Sequence, residues 1–108
     1  MLKTNDVGHR KGELAVVILT FNEEENISQA LVSVQDWADE VFVLDSFSCD
    51  RTVEICREFD CTVVNNKFEN FSKQRNFALT QLGIRSEWIL FLDVVNGTNI
   101  FAQLQPKL

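Results

Sequence analysis

The chain alternates between two kinds of hydrophobic pattern. Leu14-Ala15-Val16-Val17-Ile18-Leu19 and Val41-Phe42-Val43-Leu44 are unbroken apolar runs rich in β-branched side chains, and each is followed by a short polar turn. Runs of this length suit strands buried on both faces of a parallel sheet. Between them Ile27, Ala30, Leu31 and Val34 recur at i, i+3, i+4 and i+7, one face of a helix. The pattern therefore predicts a strand over about 14–20, a helix over about 24–36 and a strand over about 41–45. The same alternation continues with a helix over about 51–59, capped by Ser48 or Asp50, with Val53, Cys56 and Phe59 inward. A short strand follows at about 62–65. Next comes a helix over about 73–82, with Ser72 as its cap, Ala78, Leu79 and Leu82 on its apolar face, and Gly83 at its end. A fourth strand runs from Glu87 to Asp93.

The order βαβαβαβ predicts an α/β fold: a three-layer, Rossmann-like, mostly parallel sheet with helices on both faces. Residues 1–12 are polar and read as a flexible N-terminal tail, residues 13–94 as one domain, and residues 95–108 as a divergent C-terminal tail without a clean period. In that tail Asn96-Gly97 reads as a turn. Phe101, Leu104 and Leu108 make a weak helical stripe stopped by Pro106.

In an open parallel sheet, ligands bind at the carboxyl ends of the strands. Thr20, Asn22, Glu23, Asp45, Asp50 and Asp93 are therefore the candidate site residues. Taken singly, Asp45 and Asp93 are ordinary turn or helix caps. Taken as two carboxylates on one edge of one sheet, they suit hydrogen bonds to a base or ribose, or a divalent cation held with phosphates. No Gly-x-Gly-x-x-Gly follows the first strand and there is no Gly-Lys-Ser/Thr, so dinucleotide-fingerprint and P-loop readings lose their support. Phe21 and the acidic run Glu23-Glu24-Glu25 suit a base or ribose better than a pyrophosphate. Glu24 and Glu25 read as solvated helix-end charges, and Asp39 and Glu40 are open to the same reading.

The charge balance narrows the partners. With 108 residues and a net charge of −6, the composition argues against a general nucleic-acid surface. The single histidine, His9, lies in the polar N-terminal stretch, which argues against a His-based dyad in the core. Cys49, Cys56 and Cys61 form no Cys-x-x-Cys pair and read as thiols in a reducing compartment. No apolar run approaches the ~20 residues of a membrane span, and the N-terminus lacks a secretory core. The expected location is cytoplasmic, with the inner face of the membrane reachable through a partner or a further segment.

Four segments, in order, resemble the glycosyltransferases of family two. Ile18-Leu19-Thr20-Phe21-Asn22-Glu23-Glu24-Glu25-Asn26-Ile27 resembles their opening motif. Trp37-Ala38-Asp39-Glu40-Val41, with Asp45-Ser46-Phe47-Ser48-Cys49-Asp50-Arg51-Thr52, resembles the second, usually Asp-Ser-Gly-Ser-Thr-Asp-x-Thr. Phe71-Ser72-Lys73-Gln74-Arg75-Asn76-Phe77-Ala78-Leu79 resembles the segment that follows, and Trp88-Ile89-Leu90-Phe91-Leu92-Asp93 the strand leading to Asp-x-Asp. The nearest subgroup is the lipopolysaccharide-core glucosyltransferase-like set. The resemblance implies a nucleotide-diphosphate sugar as donor, most often a UDP-sugar, and a glycan or lipid-linked acceptor. It implies that Thr20, Asn22 and Glu23 line the nucleotide pocket, that Asp45 bonds the base with Ser46 beside it, and that Arg75 and Asn76 lie near base, ribose or diphosphate. It places Asp93 near the ribose and a Mg or Mn ion. Such an ion offsets charge on the leaving diphosphate, while a separate carboxylate deprotonates the acceptor.

The departures carry as much information. Where the family has Asp-Ala-Asp-Glu, this chain has Asp93-Val94-Val95-Asn96. An alkyl side chain at 95 cannot ligate a hard cation, and Asn96, at the following acidic position, is a weaker neutral ligand, which leaves Asp93 as the metal candidate. Phe47 stands where the family has Gly, a substitution that costs about 1 kcal/mol or more if the turn needs a positive φ. The acceptor-binding half and the catalytic base have no counterpart in Gly97 to Leu108, so no catalytic residue is assigned. These points predict a truncated nucleotide-binding half, weakly active or inactive, as a gene fragment or frameshifted product would be. The alternative is a non-catalytic nucleotide-binding or protein-interaction module. A four-strand sheet with an open edge predicts marginal stability or self-association.

Overall fold

The computed structural model describes residues 13–95 and 99–107, and the side chains of 94–101 lie outside what it describes. The expected tail over 1–12 and the Asn96-Gly97 turn fall outside the described residues. The elements run β1 (Leu14–Thr20), α1 (Ile27–Gln35), β2 (Glu40–Asp45), α2 (Thr52–Cys56), β3 (Thr62–Asn65), α3 (Phe71–Gln81), β4 (Trp88–Val95) and β5 (Asn99–Pro106). They form one five-stranded sheet in the order β3-β2-β1-β4-β5. β1 pairs in parallel with β2 and β4, and β2 in parallel with β3.

Alternation along the strands divides the core in two. Val16, Ile18, Val43 and Leu92 pack with Ile27, Ala30, Leu31 and Val34 of α1 and Cys56 of α2. Ala15, Val17, Leu19, Phe42, Leu44, Ile89 and Phe91 pack on the other face with Ala78 of α3 and Ile84. The sheet thus lies between α1 and α2 on one side and α3 on the other, the three layers that βα alternation dictates.

The carboxyl-terminal segment departs from its expected helical stripe. Residues 99–106 form β5, antiparallel to β4 from Trp88↔Pro106 to Val95↔Asn99. The open edge of β4 supplies a full ladder of partners, which a lone helix with a weak apolar stripe does not. Pro106 is tolerated because β5 is an edge strand, where a missing N–H costs no ladder bond. Lys107 N–H donates to Glu87 O at 2.8 Å, and its ammonium donates to Ile84 O, tying down the strand's end.

Helix starts also differ from the pattern. α1 begins at Ile27, so Glu23 to Glu25 stand in the preceding turn, with no acid in the helix's first turn. α3 begins at Phe71 and is capped by Asn70, whose Oδ1 accepts from Lys73 N–H at 2.9 Å, rather than by Ser72. Gly83 takes a φ of 68° just past α3, the left-handed conformation expected after a helix end.

Asp39 and Glu40 are structural rather than solvated. Asp39 Oδ2 accepts from the N–H groups of Glu13 and Leu14 at 3.1 and 2.8 Å. Glu40 accepts from Ser86 N–H at 2.9 Å, from its hydroxyl at 2.6 Å, and from Arg85 N–H at 3.1 Å. These bonds clamp the amino-terminal end of the sheet.

Candidate functional site

The chain passes from β1 to β2 and β3 on one side, then crosses to β4 on the other side of β1. The gap between β1 and β4 is the topological switch point, where an open α/β sheet leaves a crevice at its carboxyl edge. A cleft of about 430 Å³ opens there, lined by Leu19 and Thr20 of β1, Phe21, Glu23, Ser46, Lys67, Phe68, Phe71 and Asp93 of β4.

The floor is built by side chains that bond one another. Asp45, at the end of β2 and level with Thr20, is fully buried. Its Oδ1 accepts from Thr20 Oγ1 and Ser48 Oγ, both at 2.6 Å, and its Oδ2 accepts from Ser48 N–H at 2.7 Å. A buried carboxylate needs such donors, because its desolvation is otherwise uncompensated. The loops after β1 and β2 are then sewn together. Ser48 Oγ accepts from Asn22 N–H at 2.8 Å, and Asn22 Oδ1 accepts from Cys49 N–H at 2.8 Å. Thr52 Oγ1 accepts from Glu23 N–H at 2.8 Å and donates to Asp50 Oδ1 at 2.5 Å. Glu24 Oε1 accepts from Arg51 N–H at 2.9 Å, so Glu24 is also a tie rather than a free surface charge.

Two of these loop residues are left-handed: Asn22 at φ 53° and Phe47 at φ 58°. Asn adopts that region readily, whereas Phe pays about 1–2 kcal/mol. The turn that needs a positive φ is the one where Gly was expected, and the Phe47 ring remains 60% exposed.

The walls set the electrostatics. Burial, and then the charge of Glu23, push the Asp93 carboxyl above its ordinary value. Asp50 is held below its ordinary value: burial opposes this, but hydrogen bonds from Thr52 and from the Glu24 backbone outweigh it. Phe68 and Phe71 meet edge to face with ring centroids 5.2 Å apart, and both stay about half exposed, as does Phe21. Three exposed phenylalanines around one cleft offer flat faces to a planar ligand. A second cavity of about 260 Å³ adjoins the first, sharing Leu19, Phe71 and Asp93 and adding Arg75, Phe91, Leu92 and Gln103. Arg75 donates to Gln103 Oε1 at 2.7 Å, so β5 helps to hold its guanidinium.

Of the residues singled out in the sequence, Thr20, Glu23, Ser46 and Asp93 line the main cleft and Arg75 the adjoining one. Asp45 lies beneath the surface with its carboxylate engaged, Asn22 serves the loop tie, and Asn76 sits exposed on α3 outside both linings. Sequence reasoning passed over Lys67, Phe68 and Gln74. The first two lie in a polar loop without periodicity. Gln74 is fully buried inside a helix whose other residues gave it no marking.

Among the described residues no cluster of three or more His, Cys, Asp or Glu side chains forms a metal site. The cleft offers Asp93 and Glu23, and the chain carries valine at position 95. This donor set does not fit a cation held by the protein alone.

Residues 15–94 match the profile of Glycosyl transferase family 2. The chain belongs to this family. The glycosyltransferase SunS from the SPbeta prophage of Bacillus subtilis is 37% identical over 95 residues, covering 82% of this chain and 22% of that protein. An uncharacterised glycosyltransferase from Rickettsia bellii is 37% identical over 81 residues, covering 75% of this chain and 27% of its own length. The chain therefore spans about a quarter of the length of these relatives. Among solved structures, glucosyl-3-phosphoglycerate synthase from Mycobacterium tuberculosis, in complex with Mn2+, UDP and glucosyl-3-phosphoglycerate, superposes with a TM-score of 0.61 at 24% identity. That match covers 75% of this chain and 33% of the synthase, and it shows the shared glycosyltransferase A-type fold. Among the described residues no helix is long and apolar enough to cross a membrane.

Proposed function

We propose that this family 2 chain binds the nucleotide part of a sugar-nucleotide donor, a UDP-sugar, in the cleft between β1 and β4. The observation that carries the reading is the meeting of Thr20, Ser46, Glu23 and Asp93 around an aromatic-walled cleft at the sheet's switch point. An apolar cleft with flat walls suits a base, and hydroxyls and carboxylates at strand ends suit a ribose. Ser46, Glu23 and Asp93 make the direct contacts in this reading. Asp45, Thr20 and Asn22 build the floor, and Arg75 faces the diphosphate from the adjoining cavity. Asn76 would reach a nucleotide only by a change of side-chain position.

A glycan or lipid-linked acceptor, and a place in lipopolysaccharide-core synthesis at the cytoplasmic face of a membrane, rest on the sequence resemblance. Binding of UDP by the mycobacterial synthase supports the donor class, since the two share a fold. The cleft's own carboxylates, Asp93 and Glu23, do not by themselves make a resident cation site. Valine at 95 favours a second reading, a module that binds nucleotide without turnover.

Calorimetric titration with UDP, with and without manganese, tests the proposal. Saturable binding that is weakened by Asp93→Asn supports it. A folded protein that gives no heat at millimolar UDP overturns it. Metal-dependent binding that strengthens on Val95→Asp would favour a disabled transferase over a binding module.

A further inference from the structure

Gln74 is the one fully buried polar side chain on α3, and its amide is oriented by its neighbours. Its Oε1 accepts from Asn66 Nδ2 at 2.8 Å, while its Nε2 donates to the Asn66 carbonyl at 3.4 Å. A flipped amide would set two donors against each other and two oxygens against each other, so the polarity is determined. Asn66 is itself pinned, its N–H donating to Asp45 O at 2.8 Å. The other hydrogen of Gln74 Nε2 is directed at Ser46 Oγ, 3.3 Å away, at the long end of the range. Ser46 is held from the backbone as well, its N–H donating to Thr20 O at 3.0 Å.

A hydroxyl has one hydrogen and two acceptor positions. Gln74 brings only a hydrogen, so Ser46 Oγ must accept from it and cannot donate to it. The Ser46 O–H is left to donate elsewhere, and Ser46 lines the main cleft. We infer that Gln74 is a positioning residue that keeps the Ser46 hydroxyl hydrogen turned out of the protein, to donate to an acceptor oxygen of the bound nucleotide. The inference rests on the donor-nucleotide reading above and assigns it a polarity: the ligand atom that receives the Ser46 hydrogen is an acceptor, such as a base carbonyl oxygen. The neighbouring Asp45 carboxylate, already engaged by three protein donors, does not compete for that role.

The test is a double-mutant cycle on UDP affinity, read by calorimetry on the full chain. Gln74→Glu keeps an oxygen for Asn66 Nδ2 but turns the group facing both Ser46 and the Asn66 carbonyl into an acceptor, which draws the Ser46 hydrogen away from the cleft and loses the bond to that carbonyl. Ser46→Ala removes the hydroxyl without touching α3 and guards against misfolding of the Gln74 variant. Each single change is expected to weaken UDP binding by about tenfold, the worth of one hydrogen bond. The double variant is expected to bind no more weakly than either single. UDP affinity equal to the unaltered protein in Ser46→Ala, or effects that multiply to about a hundredfold, would overturn the relay. A folded, unaltered protein that fails to bind UDP removes the underlying reading and the relay together, whereas normal binding with unresponsive variants removes the relay alone.

Discussion

Asp45→Asn is the sharpest test of how this cleft is built. The substitution keeps the size of the side chain and, with the amide oxygen kept toward the two hydroxyls, puts an amide NH2 in place of Oδ2. Oδ1 still accepts from Thr20 and Ser48 hydroxyls, but these contacts, now 2.6 Å and charge-assisted, become neutral. A bond to a charged group contributes about 1.5–3 kcal/mol and a neutral one about 0.5–1.5, so each loses about 1 kcal/mol. The Ser48 N–H, now 2.7 Å from Oδ2, would face another donor. Stranding this half-buried donor costs about 1–3 kcal/mol. The sum is about 3–5 kcal/mol, a large share of the roughly 5–15 kcal/mol that holds a domain of this size. Urea denaturation followed by circular dichroism reads it: with a slope near 2 kcal/mol/M, the midpoint should fall by about 2 M at unchanged slope. A loss under about 1 kcal/mol would refute the view that this carboxylate is a structural hub, and would return it to the pool of groups available for a ligand.

Other outcomes follow from the same contacts. Asn70→Ala should cost about 1 kcal/mol in urea denaturation by removing the cap of α3, while Ser72→Ala should cost less. Because the Asp93 carboxyl is pushed above its ordinary 3.8, the folded state holds this proton more tightly than the unfolded chain. Its contribution is therefore fully present below pH 3.8 and is lost as pH rises through the raised value. Asp93→Asn should then melt higher than the unaltered protein at neutral pH, with the advantage gone in acid; an advantage that persists in acid would refute this. Cys56, its thiol pushed up to about 12 by burial and then by Cys61 and Asp45, should react last with a thiol reagent, and exposed Cys49 first. Leu104, 58% exposed on the edge strand β5, should drive concentration-dependent association seen by light scattering, and Leu104→Lys should shift the protein toward monomer.

The strands β1 to β4 and the helices between them were legible because their patterns are local. A run such as Val16-Val17-Ile18-Leu19 has one way to hide both of its faces, between two helical layers. The 3.6-residue stripe of α1 names its own buried face, and the four residues Ile27, Ala30, Leu31 and Val34 are the ones it buries. Gly83 and the turn at Phe47 were legible for a similar reason: a positive φ is a demand on one residue. β5 was not legible, since residues 99–106 become a strand only because β4 presents an unpaired edge beside them. The cap at Asn70 rather than Ser72 was a choice between two competent neighbours, decided by an extended backbone at Asn70.

The candidate site divides along the same line. By itself the sequence determined that polar residues would stand at the ends of β1, β2 and β4, because chain order and the rule of parallel sheets bring those ends to one edge. It also determined the family, through four motifs in order. Only the tertiary structure decided what each polar group does there. A hydrogen bond depends on the distance between groups that lie 25 or more residues apart, as Thr20 and Asp45 or Ser46 and Gln74 do. One residue's distance from the cleft separates Asp45, buried and engaged, from Ser46, which faces it. That difference comes from packing in three dimensions, which no local pattern encodes.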